Sequence, residues 1–363
     1  MSDEAYERLR ETMARRGHVG WDLSIPEFDE MVRVLFTPEE AGVSNAMPQG
    51  SCVPGAIAEA IGRSEVEVTP ILEGMADKGL IMSFVKEGTR VYSALPLMPG
   101  IFELQFMRGT TTHRDYEIAR AINGFRNAVA AASGGRPRVR YPMGRVIPVD
   151  RHIDARHSVR TYDQVMAYLE EADPISLGTC YCRHEARLVD PNDVCGMPME
   201  VCIAFGRTAE NVIERRIARR VSKEEAADVM RQAEEAGLVH ACVNMQKLDF
   251  ICNCCPCHCA ILVPVLRQPK PSQAIVHTFE PSFDPGLCTL CGTCVDRCPA
   301  NALAIGDADV PEWDKDRCIG CGVCASGCAE GAINLVEMTG ALTPPADRRA
   351  LAVEVVKSIQ ASA

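Results

Sequence analysis

Eight cysteines in two copies of one pattern constrain this chain more than anything else in it. The first copy is CTLCGTCVDRCP, with Cys288, Cys291, Cys294 and Cys298 followed by Pro299. The second is CIGCGVCASGCA, with Cys318, Cys321, Cys324 and Cys328. Both read C-x2-C-x2-C-x3-C, the spacing with which bacterial two-cluster proteins hold [4Fe–4S] cubanes. Three closely spaced thiolates wrap one cubane, and the fourth, three residues on, points away to the other. The spacing therefore predicts crossed ligation. Cys288, Cys291, Cys294 and Cys328 would hold one cluster; Cys318, Cys321, Cys324 and Cys298 would hold the other. Zinc knuckles or disulfides are the alternatives, and the doubled spacing disfavours both.

The chain has 363 residues, enough for two or three domains. Its 47% hydrophobic and 24% charged residues are those of a globular protein. A net charge of −11 gives no global attraction to nucleic acid or anionic membrane. The N-terminus, MSDEAYERLRETMARRG, lacks an apolar signal core, and no stretch approaches the length of a membrane span. These features read as a cytoplasmic protein. Nineteen cysteines in a reducing compartment argue for metal binding over disulfides, and exposed cubanes point to an anaerobic or microaerobic host.

Residues 1–20 read as a solvated helix, and 26–36 as an amphipathic one. Residues 53–81 read as helix, turn at Gly62–Arg63–Ser64, second helix and stop at Gly79, with Ser64 and Glu67 forming a capping box. A hairpin around Glu87–Gly88 follows at 81–95. Helix, helix, hairpin in this order resembles a winged-helix domain. Its candidate recognition helix carries Glu65, Glu67, Glu73 and Asp77 against Lys78 alone. Phosphate contacts need Lys and Arg, so specific DNA binding is not expected, and the domain reads as a protein-interaction or homodimerisation element. Further helix is expected at 101–133, a linker at SGGRPR (133–138), and helices near 161–172 and 208–220. A helix capped by Ser222 with Glu225 closes at Gly237. Arg215, Arg216, Arg219, Arg220 and Lys223 read as a solvated helix face. Short strands are expected at ALAI and AINLV after the two cysteine runs, then a tail helix.

Ten more cysteines lie between residues 180 and 259. Cys180, Cys182, Cys195 and Cys202 form a first candidate metal set. Cys252, Cys254, Cys255, Cys257 and Cys259, in CNCCPCHC with His258, form a second; His240 and Cys242 precede it. Five cysteines in eight residues are an oxidation hazard unless a metal or cluster holds them. Four thiolates suit tetrahedral zinc or a cubane. One or two further [4Fe–4S] clusters are expected because a further cluster extends an electron path, with zinc as the alternative. Cys254, Cys257 and His258 also satisfy C-x-x-C-H, the c-type haem pattern, but no export signal accompanies it. His184 and Arg183 read as groups that bond or tune cluster sulfurs, with His184 or His240 as a ligand or proton donor at a substrate-reducing cluster as the alternative. Cys52 reads as an ordinary small core residue. No Gly-rich dinucleotide fingerprint follows a strand.

GTCYCR, MEVC with a following FG, GLVHACVN, FICNCCPCHC and the C-terminal double run together resemble the bacterial and archaeal 4Fe-4S dicluster-domain proteins, over roughly residues 140–337. The resemblance implies an iron–sulfur oxidoreductase or electron-transfer protein of anaerobes and is silent on substrate. This chain departs from the pattern at His258, where cysteine is more usual, and in lacking a proline after Cys328. The expected fold is α+β and multidomain. It comprises a winged-helix-like domain with flanking helices (1–135), a Cys-rich α/β region (139–265), a bacterial-ferredoxin-like module (280–337) and a tail helix (338–363). The expected function is single-electron transfer with a partner redox enzyme, as an oxidoreductase component. The alternatives are a reductase with an open central cluster and a redox-sensing transcriptional regulator.

Overall fold

The computed structural model describes residues 2–16, 21–133, 141–149 and 165–360. It mixes helix and sheet and separates into two compact units. The first comprises residues 1–138, 178–194 and 207–219; the second comprises 139–177, 195–206 and 220–363.

The first unit begins with α1 (Ser2–Arg15), α2 (Pro26–Leu35) and α3 (Pro38–Ala46). The helix expected to be solvated instead buries Tyr6, Leu9 and Met13. These residues recur at helical spacing and so form one face. Strand β1 (Ser51–Cys52), α4 (Pro54–Ile61), α5 (Glu65–Asp77), β2 (Ile81–Lys86) and β3 (Thr89–Ala94) follow. The three strands form an antiparallel sheet in the order β1-β3-β2. The Glu67 carboxylate accepts from the Ser64 backbone N–H at 3.0 Å, which starts α5 where the sequence places it. Gly79 ends it with φ +72°, and a Cβ there would meet Leu104 Cβ at 2.7 Å. The helix expected across 101–133 is two helices, α6 (Phe102–Phe106) and α7 (His113–Ser133). Gly109, at φ +69°, lies in the break. Phe102 and Phe125 pack against Trp21, with centroids 5.5 Å apart for Trp21–Phe125, and Phe28 packs against Phe125. The expected linker lies outside the described residues except for Ser133.

The second unit is built on a six-stranded sheet, ordered β4-β8-β9-β6-β5-β7. The strands are β4 (Gly144–Val146), β5 (Ile175–Thr179), β6 (Glu200–Phe205), β7 (Arg219–Val221), β8 (Val239–Val243) and β9 (Phe250–Cys254). The chain leaves this unit within β5, comes back for residues 195–206, and returns again within β7. Helix α8 (Val165–Glu171) belongs to this unit, whereas α9 (Tyr181–Val189) and nearly all of α10 (Gly206–Glu214) fall in the first. The helix expected over 208–220 ends at Glu214, since Arg216 turns at φ +53° and Arg219 opens β7. Helix α11 (Lys223–Glu235) starts on the Ser222 hydroxyl, which accepts from the Glu225 N–H at 3.1 Å. Every residue of β8 is buried.

Apart from the tail helix, the remaining elements of the second unit are short. Helix α12 (Leu262–Leu266) follows the central cysteines. Strand β10 (Phe279–Phe283) pairs antiparallel with β13 (Ile333–Glu337), and β11 (Leu303–Ala304) with β12 (Glu312–Trp313). Helices α13 (Thr293–Arg297) and α14 (Val323–Ser326) each sit inside one cysteine run. The tail helix α15 (Arg348–Gln360) inserts Leu351 against Val243 and Met245.

Candidate metal centres

The two C-terminal runs fold as turns around short helices, so their sulfurs converge without long-range assembly. Gly320 and Gly322 make this possible in the second run. Both have positive φ, and a Cβ would meet the Phe279 carbonyl oxygen at 2.2 Å or Leu335 Cδ1 at 2.7 Å. Cys318, Cys321 and Cys324 thereby line a pocket together with Cys298 from the first run. No charged side chain is among its lining residues, which include Pro281, Leu303, Trp313, Ile319 and Leu335. Burial first, then the neighbouring Cys298 and Cys318, push the Cys324 thiol up to about 12. Burial likewise holds Cys321 well above its ordinary value. Four sulfurs around an apolar void would be anionic only if a cation filled it, which is the donor chemistry of a cubane site.

The first run has the same construction. Burial raises the Cys294 thiol, with Cys291 and Cys288 near enough to add to the effect. Cys328 of the second run packs against the small core formed by Cys294, Leu303, Ala325 and Ile333. The fourth cysteine of each run accepts a backbone N–H from four residues on: Ala302 to Cys298 Sγ at 3.2 Å, and Ala332 to Cys328 Sγ at 3.3 Å. Cys291 is exposed.

The central cysteines are assembled by strand register. Ile203 of β6 opposes Ile251 of β9, so Cys202 opposes Cys252 one step along. Cys252 and Cys254 share a face of β9 because side chains alternate along a strand. Cys259 returns to that face, with its Sγ 3.1 Å from Cys254 Sγ. The contact with Cys202 favours the Cys252 thiolate, but Cys254, burial and Cys259 outweigh it and hold the thiol well above its ordinary value. Cys202, Cys252, Cys254 and Cys259 therefore form one all-sulfur group.

A second group takes the intervening residues. One ligand atom each from Cys195, Cys255, Cys257 and His258 lies within 4.8 Å of every other. Cys255 Sγ is 3.9 Å from His258 Nδ1. Burial, then Cys255 and Cys195, push the Cys257 thiol up to about 12. The groups thus cross-cut the two sets read from sequence proximity, and one of them takes as a donor His258, which the sequence reading placed beside the second set without counting it as a ligand. The alternation in Phe250-Ile251-Cys252-Asn253-Cys254 was the available signal for the first group.

Cys180 caps α9 and Cys182 lies buried in its first turn, both in the first unit, whereas Cys195 and Cys202 lie in the second. Cys182 lies near enough to Arg126 to help hold its charge. Cys242 is buried on β8 opposite Arg145. Cys52 is a buried residue whose thiol donates to the Tyr92 carbonyl at 3.5 Å. His184 Nε2 is 2.7 Å from the Thr110 carbonyl. His240 bonds Asn253 Oδ1 at 2.6 Å and Glu234 Oε1 at 3.3 Å. Asn253 is on the face of β9 opposite Cys252 and Cys254, which places His240 away from their sulfurs.

The basic run is not one solvated face. Arg215 is buried, and only Arg216, Arg219, Arg220 and Lys223 are exposed. Arg215 donates to Glu73 Oε2 at 2.7 Å, Asp77 Oδ1 at 3.0 Å and Ser83 Oγ at 2.6 Å. Arg90 pairs with Glu214 beside it, at 2.8 Å from Nη1 to Oε2.

Residues 280–329 match the family described as 4Fe-4S dicluster domain. No curated protein and no solved structure matches the chain. Among the described residues, no helix is long and apolar enough to cross a membrane.

Proposed function

We propose that the 4Fe-4S dicluster domain at residues 280–329 makes this protein a relay for single electrons between redox partners. The observation that carries this reading is the cavity lined by Cys318, Cys321 and Cys324 of one run and Cys298 of the other. It favours the crossed ligation expected from spacing, with Cys288, Cys291, Cys294 and Cys328 as the other set. A bound cubane supplies reversible one-electron chemistry. The chain's part is to hold it, exclude water with the apolar lining, and set its potential through N–H···S bonds such as Ala302 to Cys298 and Ala332 to Cys328. The exposed Cys291 marks the side on which a partner approaches that cluster most closely.

The all-sulfur central group, Cys202, Cys252, Cys254 and Cys259, has the donor set for a further [4Fe–4S] cluster and is the place we assign to one. A cubane there requires Cys254 and Cys259 to turn apart from their 3.1 Å contact. We read the α4, α5 and β1-β3-β2 region as a winged-helix domain that engages a partner protein rather than DNA. The acidic residues Glu73 and Asp77 of α5 are already occupied by Arg215, so that face offers phosphate neither positive charge nor free access.

The test is Cys298→Ala in anaerobically purified protein. About four irons should be lost, and the EPR signal that survives reduction should be that of the Cys288, Cys291, Cys294 and Cys328 cluster. Loss of that cluster alone would mean that each run ligates within itself.

A further inference from the structure

We infer that Cys195, Cys255, Cys257 and His258 form a closed, mononuclear zinc site, separate from every iron–sulfur cluster of the chain. Two independent observations carry this. The first is size. Tetrahedral zinc with Zn–S bonds of about 2.3 Å sets its sulfurs about 3.8 Å apart. A cubane holds its thiolates outside four irons, on a tetrahedron with edges of about 6 Å. Here all four ligand atoms lie within 4.8 Å of one another, and Cys255 Sγ is 3.9 Å from His258 Nδ1. As the side chains stand, this span matches one tetrahedral ion, and the mixed sulfur–nitrogen donor set separates this group from the all-sulfur one.

The second observation is the donor set. Three thiolates and one imidazole are a standard closed zinc shell, and four protein ligands leave no position for substrate. Tetrahedral sulfur-plus-nitrogen coordination selects zinc over oxygen-seeking cations. The surrounding fold explains why these residues meet. Strands β6 and β9 are antiparallel, so the loop entering β6 and the turn leaving β9 emerge at one end of the sheet. Cys195 comes from the loop, and Cys255, Cys257 and His258 come from the turn. Zinc would staple the two together beside Cys202 and Cys252. It would thereby tie the loop to the turn, and shield the exposed Cys257 from oxidation.

The site stands apart from the electron-transfer reading, and its test reads a different metal. Intact chain purified anaerobically from medium containing both metals should hold about one zinc. Its zinc K-edge absorption should fit three sulfurs at about 2.3 Å and one nitrogen at about 2.0 Å. His258→Cys should keep the zinc and convert its shell to four sulfurs. Cys257→Ser and His258→Ala should lower zinc several-fold and leave iron unchanged. If either of those two misfolds, His258→Cys still decides the question. Absence of zinc, a wild-type shell of four sulfurs, a shell unmoved by His258→Cys, or iron lost with Cys257→Ser would each overturn the proposal. Failure of the dicluster reading would appear instead as missing iron with zinc intact.

Discussion

In the dicluster domain the cysteine sulfurs surround a void; in the central sheet they touch or nearly touch. Cys298, Cys318, Cys321 and Cys324 line a cavity, whereas Cys254 and Cys259 are 3.1 Å apart and the Cys195 group lies within 4.8 Å. The difference follows from how each is built. Turns with glycines at positive φ hold the C-terminal cysteines outward around a space. Strand pairing brings the central cysteines face to face at sheet spacing. Cysteine density alone therefore does not identify a metal; the donors that the backbone brings together have to be read with it.

The largest effect that could break this comparison is at the all-sulfur group. Cys259→Ser should remove about four irons, leave zinc in place and leave the dicluster signals unchanged. Zinc lost in place of iron would make both central groups mononuclear and confine electron transfer to residues 280–329.

What the sequence disclosed tracks the same division. The C-terminal ligand sets could be proposed from spacing, because each run is local and its turns are set by its own glycines. The central groups could not. Their membership depends on Cys202 meeting Cys252 across β6 and β9, a register that no short window contains. His258 was not counted as a ligand because the resembled family more often has cysteine at that position. Helix starts with side-chain caps, at Ser64 and Ser222, were legible to the residue. The end of α10 was not, because burial of Arg215 against Glu73 and Asp77 depends on residues more than a hundred positions away.

That ion pair gives the next effect in size, and it lies away from both cysteine regions. Arg215→Ala should destabilise the first unit by about 2 kcal/mol in chemical denaturation. This is less than the cost of breaking a fully buried pair, because Glu73 and Asp77 are partly exposed. It should leave metal content unchanged; metal loss would mean that the cysteine groups depend on this contact. The same α5 surface should show no sequence-specific DNA binding in the nanomolar range at moderate salt, and a specific complex would overturn its assignment as a protein-binding element.

A smaller effect is a titration. Burial raises the Glu185 carboxyl to about 7, although Arg126 at 2.9 Å pulls it down. The folded chain therefore holds a proton that the unfolded chain has released above its ordinary 4.5. This contribution to stability is complete below pH 4.5 and is lost as pH rises through 7. Denaturation midpoints should fall across that window, and Glu185→Gln should flatten the decline. A midpoint that rises there in the parent and not in the variant would reverse the sign.

The most direct test of the central claim is iron, sulfide and zinc analysis of the intact, anaerobically purified chain, with EPR after reduction. The crossed dicluster with a third cluster and one separate zinc predicts about twelve irons, matching sulfide, one zinc, and reduced cubane signals broadened by mutual interaction. Fewer than eight irons, with zinc making up the deficit in a chain that gives no reduced cubane signal, would contradict it.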